Sequence, residues 1–500
     1  MISFIVGIVA LILGYLIYGK IAEKIFVVKP ENKTPAVRIA DGVDYVEMSW
    51  PRALLIQLLN IAGTGPIFGA IMGAYFGPAA FVWIVFGCIF AGAVHDYFVG
   101  MLSVRNDGAS ISEIVGKYLG KAPLYIMRVF SVVLLILVGV VFVYTPAQVL
   151  REMFTGGWTP EKKQIFYFIV LGVIILYYIL ATMLPIDKLI GRVYPIFGAC
   201  LLIMALGLTV MLFITGEIRN VPEFAFQNLN PNQGKNIMAH IFPFLFITIA
   251  CGAISGFHAT QSPLMARCLK NEKDGRKVFY LAMILEGIIA MIWAAVAMGH
   301  FGTVEGLTKA GSAAVVVTRS SVDLMGWVGG ILAVFGVVAC PITSGDTAFR
   351  SARLTIADSL KFDQKPIKNR FVVAIPLFVI GILLVLFATQ NTASFNLVWR
   401  YFSWSNQTLA TIALWAAAAY LAKTGKQYWI TLCPAVFMTV VVTAYFLSAG
   451  ECLGPLLTKI TGSADATYTI GIIIGLALAV ALCSLFVSLI GIKQKNTIKD

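Results

Sequence analysis

Charge is what this 500-residue chain has least of. Asp, Glu, Lys and Arg together make up 12% of it, against 59% hydrophobic residues and a mean hydropathy of +0.88. That balance excludes an ordinary soluble protein. Polar stretches are also scarce: the longest are Ile21–Trp50, Glu217–Lys235 and Gly302–Ser321, too short to hold a soluble domain of usual size. The eight cysteines are scattered, with Cys88, Cys200, Cys251, Cys340, Cys433 and Cys483 inside apolar runs, so neither a disulfide framework nor a paired zinc spacing is present. The first apolar run lacks a positive leading region and a small-residue cleavage site, and is expected to be a retained helix rather than a signal peptide.

What the chain does have is apolar length. A hydrocarbon core of roughly 30 Å takes about 20 apolar residues per helical crossing. Thirteen stretches approach or meet that requirement: Ile2–Tyr18, Leu54–Phe76, Ala79–Leu102, Pro123–Val149, Gln164–Leu184, Val193–Thr215, Ile237–Met265, Phe279–Phe301, Val322–Ala348, Phe371–Ala388, Leu397–Leu421, Tyr428–Leu447 and Tyr468–Ile490. The expected fold is therefore an all-α polytopic membrane protein with about 13 spans. Its net charge of +13 is no footprint of nucleic acid, because 28 of the 37 Lys and Arg residues fall in alternate loops, as the positive-inside rule requires. That alternation predicts a multi-pass protein of the cytoplasmic membrane with its N-terminus outside and its C-terminus inside. Between Arg105 and Arg128, Ser110 and Glu113 have the spacing of a capping box, which predicts an amphipathic helix on the cytoplasmic surface.

Two spans are interrupted by small residues. The second reads Asn60-Ile61-Ala62-Gly63-Thr64-Gly65-Pro66, and the seventh reads Cys251-Gly252-Ala253-Ile254-Ser255-Gly256-Phe257-His258 and continues to Gln261 and Pro263. They lie five helices apart and run in opposite directions, as a five-plus-five inverted repeat with broken helices at its centre requires. Repeats over 53–215 and 237–421 are predicted, with an extra helix in 1–20 and two more in 428–490. A substrate carboxylate would sit on backbone N–H groups around Gly63–Gly65 and Ser255–Gly256, with Asn60, Thr64, Pro66, His258 and Gln261 in the lining. Close helix packing is the other use for these glycines.

Ionisable groups inside a bilayer are expensive and therefore candidates for function. Asp96, His258 and Glu286 each lie nine residues from a cytoplasmic basic residue, Arg105, Arg267 and Lys277 respectively. At 1.5 Å per residue they share a layer roughly 13 Å above those charges. With His95 they form a candidate proton-handling set, though fixed structural pairing is open to them too. A second coupling candidate is Thr343, Ser344 and Asp346 beside Pro341, a hard-oxygen set suited to Na⁺; Asp346 can instead pair with Arg350 at i,i+4. In the eleventh span, Asn406 and Gln407 can hydrogen-bond between helices or to a substrate. His240 and His300, near the outer boundary, are expected to be solvated.

Asp41-Gly42-Val43-Asp44-Tyr45-Val46, Ile61-Ala62-Gly63-Thr64-Gly65-Pro66-Ile67, Phe90-Ala91-Gly92-Ala93-Val94-His95-Asp96, Ile254-Ser255-Gly256-Phe257-His258 and Ser405-Asn406-Gln407-Thr408-Leu409-Ala410 resemble, in order, the motifs of the carbon starvation protein A family. The resemblance implies a secondary transporter that imports peptides during nutrient limitation, with relatives that take up pyruvate together with protons. It also implies a fold of the amino acid–polyamine–cation (LeuT-like) type. One departure is Ile56-Gln57-Leu58, where the family is expected to carry His-His-Phe.

The expected partners are a small peptide or carboxylate substrate, a coupling ion (H⁺ or Na⁺) and the lipid bilayer. No cofactor and no resident metal are expected. An intramembrane metalloenzyme built on His95, Asp96 and His258 is the rival from another class, but a zinc shell usually needs three or four ligands in a fixed arrangement and no helical H-E-x-x-H is present. A nutrient-sensing receptor without transport is a second rival, opposed by the lack of a signalling domain.

Overall fold

The computed structural model describes all residues except Val43, 184–186, 224–226, Lys365 and 498–500; the side chains of 182–195 and 489–497 are also outside the described set. The basic residues Lys188, Arg192, Lys365, Lys493, Lys495 and Lys499 of the alternating-loop pattern therefore lie beyond what the structure tests.

Among the described residues the chain is helical, with a single isolated parallel bridge between Met48 and Leu269. The helices are α1 (Ile2–Phe26), α2 (Trp50–Ile61), α3 (Thr64–Phe76), α4 (Ala79–Arg105), α5 (Ile111–Leu119), α6 (Lys121–Phe154), α7 (Pro160–Met183) and α8 (Asp187–Ile214). They continue as α9 (241–248), α10 (Gly256–Ala266), α11 (Glu272–His300), α12 (Val304–Ala310), α13 (Ala313–Leu360), α14 (Ile367–Ala388), α15 (Thr392–Lys423), α16 (Trp429–Ser448), α17 (Gly454–Thr461) and α18 (Ala464–Thr497). Among the described residues ten helices are long and apolar enough to cross a membrane, and the bent pair α2–α3 makes an eleventh if counted as one span. Two expected spans are not in that number. One is cut short by the interruption between α9 and α10; the other, α15, carries the amides and hydroxyls of 403–408 through its middle.

The surface helix over 111–119 has its capping box: the Ser110 hydroxyl accepts from Glu113 N and the Glu113 carboxylate accepts from Ser110 N. The polar stretch 302–321 forms α12 and the start of α13, each begun by a side-chain cap, the hydroxyls of Thr303 and Ser312. Gly326, at φ +62°, then breaks the regular geometry of α13, a backbone conformation that glycine adopts without a Cβ penalty.

Contacts sort the connections into two ends. At one end Arg105 reaches Glu272, Val27 and Tyr420, and Arg267 reaches Gly108. At the other, Met1 meets Glu223, His300 meets Glu217, and Tyr75 donates to Gly311. The first group comes from the Lys/Arg-rich loops, so alternation of the basic residues and alternation in space agree. His300 is a correction in detail: its Nδ1 lies 2.9 Å from Glu217 and its Nε2 3.3 Å from Asp323.

Candidate functional site

The π-helical stretch Cys88–Gly92 widens α4 just before His95 and Asp96. A Cβ on Gly92 would stand 2.2 Å from the Ala253 carbonyl oxygen, so only glycine lets α4 lie against the unwound chain before α10. This close approach brings the next turn of α4 to His258. The side chains then form one continuous row: His95 Nδ1 is 2.8 Å from Asp96 Oδ1, Asp96 Oδ2 is 2.8 Å from His258 Nδ1, and His258 Nε2 is 3.1 Å from Glu286 Oε2. All four are fully buried. The shared layer predicted from nine-residue spacings is thus a contact chain across α4, α10 and α11.

Its proton inventory follows from the donors and acceptors. An ionised carboxylate accepts at both oxygens, and an imidazole Nδ1 stands at each oxygen of Asp96, so both rings are assigned Nδ1–H. His258 Nε2 then faces Glu286, and a single proton divides between them as imidazolium–carboxylate or as imidazole–carboxylic acid. The 3.1 Å approach lacks hydrogen-bond alignment, and neither Glu286 oxygen nor His95 Nε2 has any other partner. A buried polar group left unpaired is costly, and an unpaired charge far more so, which makes Glu286 the place where gain or loss of a proton is least resisted by fixed bonds.

The helix breaks fall at 62–63 and 249–255. The first matches the glycine cluster; the second begins ahead of it, and Pro263 lies inside α10 rather than at its start. Side chains satisfy the backbone freed there. Asn406 Oδ1 accepts from Phe257 N at 2.7 Å and from the Ser255 hydroxyl at 3.2 Å, while Gln407 Nε2 donates to the carbonyls of Phe246 (2.5 Å) and Ile249 (3.4 Å). Of the two uses open to these amides, the structure displays the interhelical one. Across the other break, Ser344 Oγ donates to Leu59 O at 3.1 Å, and the Cys340 thiol lies 3.5 Å from Ala62 O.

The predicted substrate lining is packed in this conformation. A Cβ on Gly63 would meet the Phe142 ring at 2.5 Å, on Gly65 the Cys251 sulfur at 2.5 Å, and on Gly256 the Asn406 carbonyl oxygen at 2.2 Å. Thr64 Oγ1 accepts from Thr145 at 3.2 Å, Gln261 Nε2 donates to Thr260 at 2.9 Å, and Asn60, Pro66 and Ser255 are buried. Gln57, in the place of the expected His-His-Phe run, donates to Ser262 Oγ at 3.3 Å and so links α2 to α10. The three oxygen ligands proposed for Na⁺ are bonded to other groups: Thr343 Oγ1 donates to Cys340 O (2.8 Å), Ser344 Oγ lies 3.1 Å from that same carbonyl and 3.1 Å from Leu59 O, and Asp346 Oδ2 accepts from the Tyr177 hydroxyl (2.6 Å).

The family model for carbon starvation protein CstA matches residues 1–174, 147–322 and 308–445, and the chain belongs to that family. An uncharacterized membrane protein of Haemophilus influenzae is 45% identical, over 63% of this chain and 95% of its own length. The peptide transporter CstA of Escherichia coli is 24% identical over 86% of this chain and 78% of its own. The pyruvate/proton symporter BtsT of Escherichia coli is 27% identical over 54% of this chain and 45% of its own. Among solved structures, MhsT in complex with L-phenylalanine aligns with a TM-score of 0.56 at 13% identity, over 86% of this chain and 97% of that one. A manganese transporter of Eremococcus coleocola aligns with a TM-score of 0.52 at 13% identity, over 90% and 99%. The expected all-helical transporter fold is therefore established. The chain is a multi-pass membrane protein of a transporter family, not an enzyme.

Proposed function

We propose that this member of the CstA family is a secondary active importer of peptides, driven by protons that load and leave the row His95–Asp96–His258–Glu286. The observation that carries this reading is the row itself, which joins α4 and α11 to the helix that is broken. A proton on Glu286 changes the charge facing His258, and His258 rides on α10, so protonation and the position of the broken helix are linked. Such coupling is what a proton-driven cycle of alternating access needs, since an ion shifts a conformational equilibrium only by binding one state better than the other.

In this reading 53–215 and 237–421 are inverted halves, α2–α3 and α9–α10 flex at their breaks, and substrate enters where the packed glycines part. The end rich in Lys and Arg faces the cytoplasm, with the N-terminus outside. A second reading, uptake of pyruvate or another small monocarboxylate with protons, is favoured by the similarity to the pyruvate/proton symporter. Na⁺ at Thr343, Ser344 and Asp346 is the alternative coupling.

Uptake into proteoliposomes under separately imposed proton and Na⁺ gradients tests these readings. Accumulation of dialanine driven by a pH gradient is expected. Accumulation of pyruvate but not dialanine overturns the peptide assignment, and dependence on Na⁺ at fixed pH overturns the proton one.

A further inference from the structure

The turn that joins α13 to α14 brings three arginines together. α13 ends at Leu360, where Lys361 takes a left-handed conformation, and α14 starts at Ile367 with no side-chain cap. Arg353 Nη1 donates to Gln364 Oε1 at 2.6 Å, Arg370 Nε donates to Gln364 O at 2.9 Å, and Arg350 Nη2 donates to Ala181 O at 2.9 Å, which ties α7 to the same place. Asp358, in the last turn of α13, lies within electrostatic reach of Arg267, Arg128 and Glu113. The cluster therefore sits at the end of the bundle that holds Arg105 and Arg267.

Basic residues at such a boundary are usually solvated, as Lys361 and Lys368 are, but Arg353 is only 5% exposed. The charges that act on its guanidinium are those of Arg370 and Arg350, both of its own sign. A buried cation with no opposite charge is costly. Gln364, a neutral acceptor, holds only Nη1. Nε and the neighbouring Gln364 Nε2 are buried donors without an acceptor, while Nη2 is neither bonded nor enclosed. Nε and Nη2 form one edge of the guanidinium, the edge that takes two oxygens of a carboxylate or a phosphate side by side. An anion can thus arrive at the open nitrogen and meet the second donor on the same edge.

The surroundings choose among anions. Leu354, Leu360, Phe362, Ile367 and Phe371 are exposed apolar side chains on the two helices and their turn. A soluble anion leaves them uncovered, whereas a phospholipid brings acyl chains to them and a phosphate to the arginines. We propose that Arg350, Arg353 and Arg370 bind the phosphate of an anionic phospholipid in the leaflet at this end, so that one lipid clamps α7, α13 and α14 together. Arg353 supplies the fork, and Arg350 and Arg370 supply further positive charge beside it. The site is independent of which substrate the protein imports, since it needs only the bilayer.

The test is native mass spectrometry of the purified protein in an uncharged detergent, titrated with phosphatidylglycerol, phosphatidylcholine or inorganic phosphate. Wild type is expected to bind one phosphatidylglycerol more tightly than phosphatidylcholine by about tenfold or more, since each basic residue near an anionic headgroup contributes about fivefold. Arg353→Gln should bring the two lipids to within about twofold of each other, and Arg353→Lys, which keeps the charge but loses the fork, should retain part of the preference. Lys273→Gln, which removes an exposed cation at the same end, should leave it unchanged. Arg370→Gln, at a half-buried position, should lower the preference about fivefold and carries the test alone if Arg353→Gln does not fold. Equal binding of the two lipids by wild type, or a full preference in the folded arginine variants, would overturn the site. Displacement of phosphatidylglycerol by an equal concentration of inorganic phosphate would overturn the lipid assignment in favour of a soluble phosphate.

Discussion

His258 Nε2 stands 3.1 Å from a Glu286 oxygen that no aligned donor holds, while Nδ1 of the same ring is fixed to Asp96 at 2.8 Å. One edge of the imidazole is anchored and the other faces a buried carboxyl group that no aligned hydrogen bond holds. The two carboxylates therefore differ in kind, although both were equal candidates by depth in the sequence.

Glu286→Gln is expected to abolish accumulation driven by a pH gradient while preserving substrate exchange, since exchange needs occupancy but no net proton transfer. Asp96→Asn is expected to lose both. Its amide puts an N–H against one imidazole Nδ1–H, and a buried hydrogen bond replaced by two facing donors costs about 1–3 kcal/mol. Parallel assays of counterflow and of melting temperature separate these outcomes; full accumulation by Glu286→Gln would end the proton assignment at that residue.

Asn406→Ala should lower stability by about 1–3 kcal/mol, because it strips the acceptor from Phe257 N and Ser255 and leaves the start of α10 unsatisfied in a buried setting. Thr408→Ala, which removes only a bond to its own helix at Trp404 O, should cost less. Thermal unfolding in detergent checks the order of the two, and an equal loss would mean that the amide does not cap the broken helix.

The proposed orientation makes Lys273, in the first turn of α11, cytoplasmic and Lys309, at the end of α12, external; both are exposed. In a background without native cysteines, a membrane-impermeant maleimide applied to intact cells should label Lys309→Cys and spare Lys273→Cys. Labelling of Lys273→Cys from outside would reverse the topology.

Lys426, in the connection between α15 and α16, donates to Phe26 O and lies 5.0 Å from the centre of the Phe26 ring. Burial, reinforced by Arg105, lowers its ammonium from 10.5 to about 8. The charged form is the one disfavoured in the folded state, so this cost to folding is present below pH 8 and is relieved as pH rises from 8 towards 10.5. Acylation of Lys426, which needs the neutral amine, should have its midpoint near pH 8, and a midpoint near 10.5 would show that the group is solvated.

Composition and pattern were enough for much of this protein. Apolar length specified helices that cross a bilayer, because unpaired backbone cannot stay in hydrocarbon, and the alternation of Lys and Arg sorted the loops into the two ends later found in space. The small residues around Gly63 marked the neighbourhood of one break, because glycine weakens a helix where it falls. The depth of Asp96, His258 and Glu286 was legible because rise per residue is constant along a helix. Depth says nothing about azimuth, however. Only the packing of α4 against the unwound chain at Ala253, possible because Gly92 has no side chain, turned a shared layer into a row of contacts and separated the anchored Asp96 from the unheld Glu286. The same limit applies to Thr343, Ser344 and Asp346, neighbours in sequence whose oxygens the fold commits to the carbonyls of Cys340 and Leu59 and to the Tyr177 hydroxyl.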